Sequence, residues 1–317
     1  MLEPKNRQLS RRVFGGLALS TAAVLAARTA WSETAGALPA KSDWIDAHVH
    51  VWTPDVKRYP LDPAFAVADM QPPSFTADEL FGHCRPVGVA RVVLIQMSFY
   101  KFDHRYMLEM MREHPGAFAG VALIDHRAED VVERMRELAK QGMRGFRLHS
   151  QGDAATWVQS ATMAKLWKAA GEAGLRICPL INPSDLPHVA ALCTRFPETT
   201  VVVDHFARVG ITGVIEPQEL EALCELAKHP QVHVKTSAFY ALGKKKPPYD
   251  DLEPMIRRVC DAFGPERLMW ASDCPFQVQG EHTYEASLAL LRDRIDWLSA
   301  GDKQWLLRDT AEKVFFK

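Results

Sequence analysis

The chain has 317 residues, with 38 Lys and Arg against 39 Asp and Glu, 47% hydrophobic side chains and six cysteines. A net charge of −1 speaks against a nucleic-acid or anionic-membrane binder, because such partners are held by clustered positive charge. The hydrophobic share supports a large core, and the length suits a single α/β barrel behind a leader.

The leader comes first. Ser10-Arg11-Arg12-Val13-Phe14 is followed by the apolar run Gly15 to Ala27 and then Arg28, the pattern of a bacterial twin-arginine export signal. Ala30-Trp31-Ser32 is a plausible cleavage site, and the run is short for a membrane span, which makes an anchor the lesser reading. Residues 1–40 are therefore expected to be signal and short linker, with residues 41–317 as one folded domain. The expected destination is the periplasm, reached through the twin-arginine export machinery, with no stable membrane partner and no nucleic acid. Without its leader the chain carries a formal charge of about −5. Cys84, Cys178, Cys193, Cys224, Cys260 and Cys274 contain no C-x-x-C pair. Export permits disulfides, but a protein folded beforehand in a reducing cytoplasm cannot depend on them, so free buried thiols are expected.

Short β-branched runs then alternate with longer amphipathic stretches, the signature of repeated βα units. Strands are expected at Trp44–Val51, Arg91–Met97, Phe118–Leu123, Gly145–His149, Leu175–Ile181, Thr200–His205, Val232–Ser237 and Leu268–Ser272. Between them, apolar residues at spacings of three and four predict helices over Ala128–Gln141, Ala161–Ala173, Pro187–Arg195, Gln218–Lys228 and Leu252–Phe263. Gly142, Gly174 and Gly264 stand where helix C-caps belong. Tyr284–Asp296 and Asp302–Lys313 would add helices after the last strand. Eight such units, with no Gly-rich phosphate loop after the first strand, favour an α/β fold of the TIM-barrel type over a doubly wound sheet.

In such a barrel, active groups gather at the C-terminal strand ends and in the loops just beyond. His48 and His50 lie two apart and project to one face of the first strand, where paired imidazoles can hold a metal or polarise a carbonyl. Gln96, Ser98 and Tyr100 follow the second strand, Arg147 and His149 end the fourth, and Asn182 follows the fifth. Asp204 and His205 end the sixth, Lys235 and Ser237 end the seventh, and Asp273 follows the eighth. Each has a plain structural alternative. Asp204 is expected to cap a turn, His149 could be a core histidine, and Asp273 could be an N-cap. Arg147 and Lys235 could pair with carboxylates inside the barrel, and Lys244–Lys246 reads as a solvated loop tip. Long connections at Thr53–Thr76 and Phe239–Asp251 are expected to wall or cover the site.

Taken in order, these stretches are recognisable. Asp46-Ala47-His48-Val49-His50-Val51-Trp52 with Arg58-Tyr59-Pro60-Leu61, Gly145-Phe146-Arg147-Leu148-His149 and Val203-Asp204-His205 resemble the amidohydrolase superfamily. So do Val234-Lys235-Thr236-Ser237 and Ala271-Ser272-Asp273-Cys274-Pro275-Phe276. The likeness is to the branch holding lactonases of sugar lactones and of pyrone dicarboxylate, and it covers nearly the whole mature chain. It implies a distorted TIM (β/α)8 barrel and hydrolysis at a carbonyl centre. His48, His50 and His205 would be catalytic histidines, and Asp273 the base that activates water. Metal-binding members usually carry a further histidine after strand five, where this chain has Asn182. The expectation is therefore metal-independent hydrolysis of an anionic lactone, with imidazoles polarising the carbonyl. Arg147, His149, Gln96, Ser98, Lys235 and Tyr240 would bind the substrate. The alternative is one zinc ion on His48, His50 and Asp273, serving a decarboxylase or a hydrolase of another C–O or C–N bond. A non-catalytic exported binding protein is a third reading, since fold alone does not fix function.

Overall fold

The computed structural model describes residues 43–317, so the export signal expected over residues 1–40 lies outside the described residues. Eight strands pair in parallel in the order of the chain: β1 (Trp44–Val49), β2 (Val89–Ile95), β3 (Phe118–Leu123), β4 (Met143–His149), β5 (Arg176–Leu180), β6 (Thr200–Val203), β7 (Val232–Ser237) and β8 (Leu268–Ala271). Consecutive parallel neighbours require a crossover each time, and helices supply them. These are α1 (Ala77–Cys84), α2 (Arg105–Glu113), α3 (Val131–Lys140), α4 (Ala155–Gln159), α5 (Ala161–Glu172), α6 (Leu186–Arg195), α7 (Pro217–Cys224) and α8 (Glu253–Phe263). The fold is a distorted TIM barrel. Periodicity had not shown α1, α2 or α4.

Strand alternation sorts the core into two layers. One face of the strands puts Ile45, Val93, Val121, Cys178, Val202 and Met269 into the barrel interior. Ala311, Val314 and Phe315, from the wide-turned C-terminal segment, pack against that interior. The other face sends Val92, Leu94, Phe146, Ile177, Val234 and Trp270 against the helices. Gly142, Gly174 and Gly264 all take positive φ just beyond helices, as their places at helix ends require. All six cysteines are buried and unpaired, as expected.

Closure between β1 and β8 is irregular. A single parallel bridge joins Val49 to Cys274, and His50 N–H donates to the Cys274 carbonyl at 2.8 Å. Asp273 N–H in turn donates to the His48 carbonyl at 2.9 Å. The buried carboxylate of Asp46 completes this seam by accepting the backbone N–H of His48 (3.1 Å) and of Ser272 (2.9 Å), with the Tyr284 hydroxyl at 2.6 Å.

Candidate active site

The strand ends on this side of the barrel place the polar groups. A register shift in β1 between Asp46 and Val49 breaks the strict alternation, so that His48 follows the inward-facing Ala47 and still turns inward. Such bulges commonly re-aim a side chain beside an active site. Beyond β6 the chain makes a left-handed turn in which His205, Phe206, Ala207 and Arg208 all have φ between 52° and 62°. Side chains with a Cβ avoid this region at a cost of about 1–2 kcal/mol per residue, so packing must hold the turn. Phe206 and Ala207 are fully buried, which supplies that hold. The turn ends the sixth strand at Val203 rather than at His205.

Asp273 sits at the centre. Its Oδ1 lies 3.5 Å from His48 Nε2 and 3.4 Å from His50 Nε2, and its Oδ2 lies 3.7 Å from His205 Nε2. The Tyr240 hydroxyl donates to Oδ2 at 2.7 Å. Burial alone would raise the Asp273 pKa, but the surrounding imidazoles outweigh it and hold the carboxyl well below the usual range. Asp273 is therefore ionised. It caps no helix, contrary to its plain alternative, since the turn after it takes Pro275 as its N-cap.

Behind this centre lies a charged layer. Asp204 Oδ2 accepts Arg147 Nε at 3.2 Å and Nη2 at 3.1 Å, and its Oδ1 lies 3.0 Å from Lys235 Nζ and 3.3 Å from His48 Nδ1. Burial would raise this carboxyl too, but Lys235, Arg147 and His48 together keep it well below its ordinary value. The expected turn-capping role for Asp204 is thus wrong: its side chain caps nothing and anchors three catalytic-face residues instead. Lys235 is corrected as well. It is fully buried between Asp204 and His48 and does not line the cleft, so it supports the site instead of binding substrate.

The imidazole tautomers follow from their outer partners. His50 Nδ1 faces the Ile95 carbonyl at 2.9 Å, and a carbonyl only accepts, so Nδ1 carries a proton, while Nε2 faces Asp273 Oδ1 at 3.4 Å. His48 Nε2 accepts from Arg147 Nη2 at 2.8 Å, and its Nδ1 lies 3.1 Å from Lys235 Nζ and 3.3 Å from Asp204 Oδ1. His205 Nδ1 meets Ser237 Oγ at 2.8 Å, and Ser237 in turn donates to the Lys235 carbonyl, so His205 also presents a lone pair inward. Burial pushes the His205 pKa down to about 4 and holds that of His48 well below its ordinary value, so both are neutral at pH 7.

His48 Nε2 is taken by the Arg147 donor and His205 presents a lone pair, so neither can donate a hydrogen bond to a carbonyl, which counts against the carbonyl-polarising role expected for them. They fit a cation better. His48 Nε2, His50 Nε2 and Asp273 Oδ1 form a triangle with edges of 3.3, 3.5 and 3.4 Å. Ligands at zinc distances of about 2.0–2.1 Å in a tetrahedron stand about 3.3 Å apart, and three protein ligands are the usual catalytic set. Asp273 Oδ1 is buried with no hydrogen-bond partner, as an atom awaiting a cation would be. Asn182, at the position where metal-binding relatives carry histidine, instead accepts from Arg208 Nη1 at 3.2 Å.

The cleft above this centre has a volume of about 280 Å³, and its walls include Ser98, Arg147, His149, Tyr240 and Phe276. A side lobe of about 200 Å³ shares Ser98, Arg147 and His149 and is closed by Phe65 from the long loop after β1. His149 is exposed to this space and is not a core histidine. Gln96, expected in the substrate pocket, is buried away from it, where its amide donates to the carbonyls of Lys101 (3.2 Å) and Asp103 (2.8 Å) and holds that loop. Sequence reasoning missed Arg208. Only its place three residues after His205 could have signalled it, and a left-handed turn of non-glycine residues has no sequence mark.

The amidohydrolase family profile matches residues 45–317. The chain belongs to this family, and it is a hydrolase. It is 30% identical to an L-fucono-1,5-lactonase of Burkholderia ambifaria over 86% of this chain and 92% of the relative. It is 26% identical to a 2-pyrone-4,6-dicarboxylate hydrolase of Comamonas testosteroni over 75% and 78%. Among solved structures it resembles a Burkholderia multivorans amidohydrolase with bound zinc, with a TM-score of 0.72 and 24% identity, over 86% of this chain and 99% of the other. At that identity the likeness shows the fold alone.

Proposed function

We propose that the protein hydrolyses a lactone, with Asp273 as the base that takes the proton of the attacking water. The observation that carries this reading is the ionised Asp273 carboxylate, ringed by three imidazole nitrogens at 3.4–3.7 Å and opening on a cleft of about 280 Å³. The relatives named as lactone hydrolases support the substrate class. Water oxygen adds to the ring carbonyl carbon as Asp273 accepts its proton, the ring C–O bond then breaks, and that proton passes to the leaving oxygen to give a hydroxy acid. Arg147, fixed by Asp204, lines the cleft with Asp273, and its guanidinium would stabilise the developing oxyanion. Tyr240, hydrogen-bonded to Asp273, keeps the carboxylate aimed. A divalent cation on His48, His50 and Asp273, when bound, supplies Lewis-acid polarisation and a more acidic water.

The test is a panel of sugar and carboxylated lactones, followed by titration of the acid released. Asp273→Asn is expected to lower kcat by about 10²–10⁴-fold, the usual worth of a general base. Undiminished turnover in that variant would remove Asp273 from its role. Release of carbon dioxide without acid would place the reaction among lyases.

A further inference from the structure

We infer that Arg208 is the residue that selects a carboxylated lactone over a neutral one, by holding a carboxylate of the substrate within the cleft. The inference rests on the lactone-hydrolase reading and assigns a specificity residue to the same site.

Charge balance singles Arg208 out. Arg147 and Lys235 share the Asp204 carboxylate, and Asp273 accepts the Tyr240 hydroxyl beside the three imidazoles. Arg208 also lines the cleft, yet among the described residues no carboxylate approaches it within ion-pair distance. Its one side-chain partner is the neutral Asn182 amide, whose Oδ1 accepts from Nη1 at 3.2 Å. The other guanidinium donors have no protein acceptor among the described residues. A guanidinium offers five N–H groups in a planar fork suited to bidentate binding of a carboxylate. Holding one of those donors on Asn182 orients the fork.

The backbone fixes the position. Arg208 and His205 share the left-handed turn beyond β6, pinned by the buried Phe206 and Ala207, so the anchor is rigidly coupled to a group beside Asp273. The Asn182 side chain, free of any ligand role, supplies the second fixing point. The lowered pKa of His149, caused first by burial and then by Arg147 and Arg208, agrees with a positive potential on this wall. A neutral sugar lactone would leave that charge without a counter-ion, whereas a carboxylate satisfies it.

Two measurements test the assignment. In the first, kcat/KM is compared for a carboxylated lactone and for its carboxamide counterpart, in wild type, Arg208→Gln and Arg208→Lys. The preference for the acid should fall roughly 10- to 100-fold in Arg208→Gln, mainly through KM, with partial recovery in Arg208→Lys. An unchanged preference would overturn the assignment. The second needs no turnover: calorimetric binding of isophthalate and of neutral isophthalamide to the full chain. Wild type should bind isophthalate, and Arg208→Gln, with a melting temperature confirming that it folds, should lose that binding by a similar factor. Wild-type protein that binds neither probe, or both equally, would also overturn it. If no lactone is hydrolysed but isophthalate binding still depends on Arg208, the lactone reading fails and the carboxylate anchor stands.

Discussion

At the scale of single residues, the site is set by where protons sit. The Ile95 carbonyl fixes a proton on His50 Nδ1, Arg147 donates to His48 Nε2, and both Nε2 atoms lie within 3.5 Å of Asp273 Oδ1. Two imidazole nitrogens and a carboxylate oxygen brought this close suit a positive charge between them. Arg147 meets part of that need through His48, leaving Asp273 Oδ1 without a partner. Metal analysis by mass spectrometry of protein purified without added metal is therefore expected to find about one divalent ion per chain. His50→Ala should release it, since removing one of three protein ligands leaves an incomplete set. Fully active protein with only trace metal would instead restore the metal-free reading drawn from the missing strand-five histidine. Because one His48 lone pair cannot serve two partners, a bound cation and the Arg147–His48 hydrogen bond exclude each other.

At the scale of elements, the weak point of the barrel is also where the proposed site lies. β1 and β8 bring His48, His50 and Asp273 together, but they meet through one bridge and a few hydrogen bonds instead of a full ladder. Asp46 substitutes for the missing ladder by accepting from both strands, and Tyr284 at the start of α9 (Tyr284–Ala289) donates to its second oxygen. Burial raises the Asp46 pKa to about 6 against the pull of those donors, a sign of how fully the seam excludes water. Asp46→Ala leaves two buried backbone N–H groups and a tyrosine hydroxyl unsatisfied. It is expected to cost roughly 2–4 kcal/mol in urea denaturation, with Tyr284→Phe costing about 1 kcal/mol. A change below 0.5 kcal/mol, the ordinary scatter of surface substitutions, for Asp46→Ala would show that water replaces the carboxylate in the seam.

Over the whole molecule, buried neutral histidines set the acid limit of stability. His104, His205 and His233 are each pushed down to about 4 by burial, and His48 is held well below its ordinary value. The unfolded chain binds protons at these residues from about pH 6.5 downward, while the folded chain does not until about pH 4. Stability attributable to them is thus full above 6.5 and is lost as the pH falls from 6.5 to 4. His233 lies far from the catalytic groups in sequence, on β7, with Lys313, Arg267 and Arg176 adding to the burial effect. Melting temperatures across pH 4–7 should drop toward acid, and His233→Gln should flatten that slope. An identical slope in the variant would mean that His233 is solvated when the protein unfolds locally and contributes nothing.

The sequence by itself determined the eight strands, five of the helices between them and the polar residues at the strand ends, because alternation, helical periodicity and polar punctuation are local properties. Phe118–Leu123 and Val232–Ser237 were read to the residue for that reason. Tertiary structure alone decided what each polar group faces. Lys235 and Gln96 look like substrate-binding residues in the chain and Asp204 like a turn cap, yet all three prove to be supports, since inward and outward directions at a strand end depend on bulges and neighbours. Arg208 enters the cleft only because four non-glycine residues are held left-handed by the packing of Phe206 and Ala207, a conformation that local propensity disfavours. Charge pairing and proton position are sums over several strands, and no single stretch of sequence contains them.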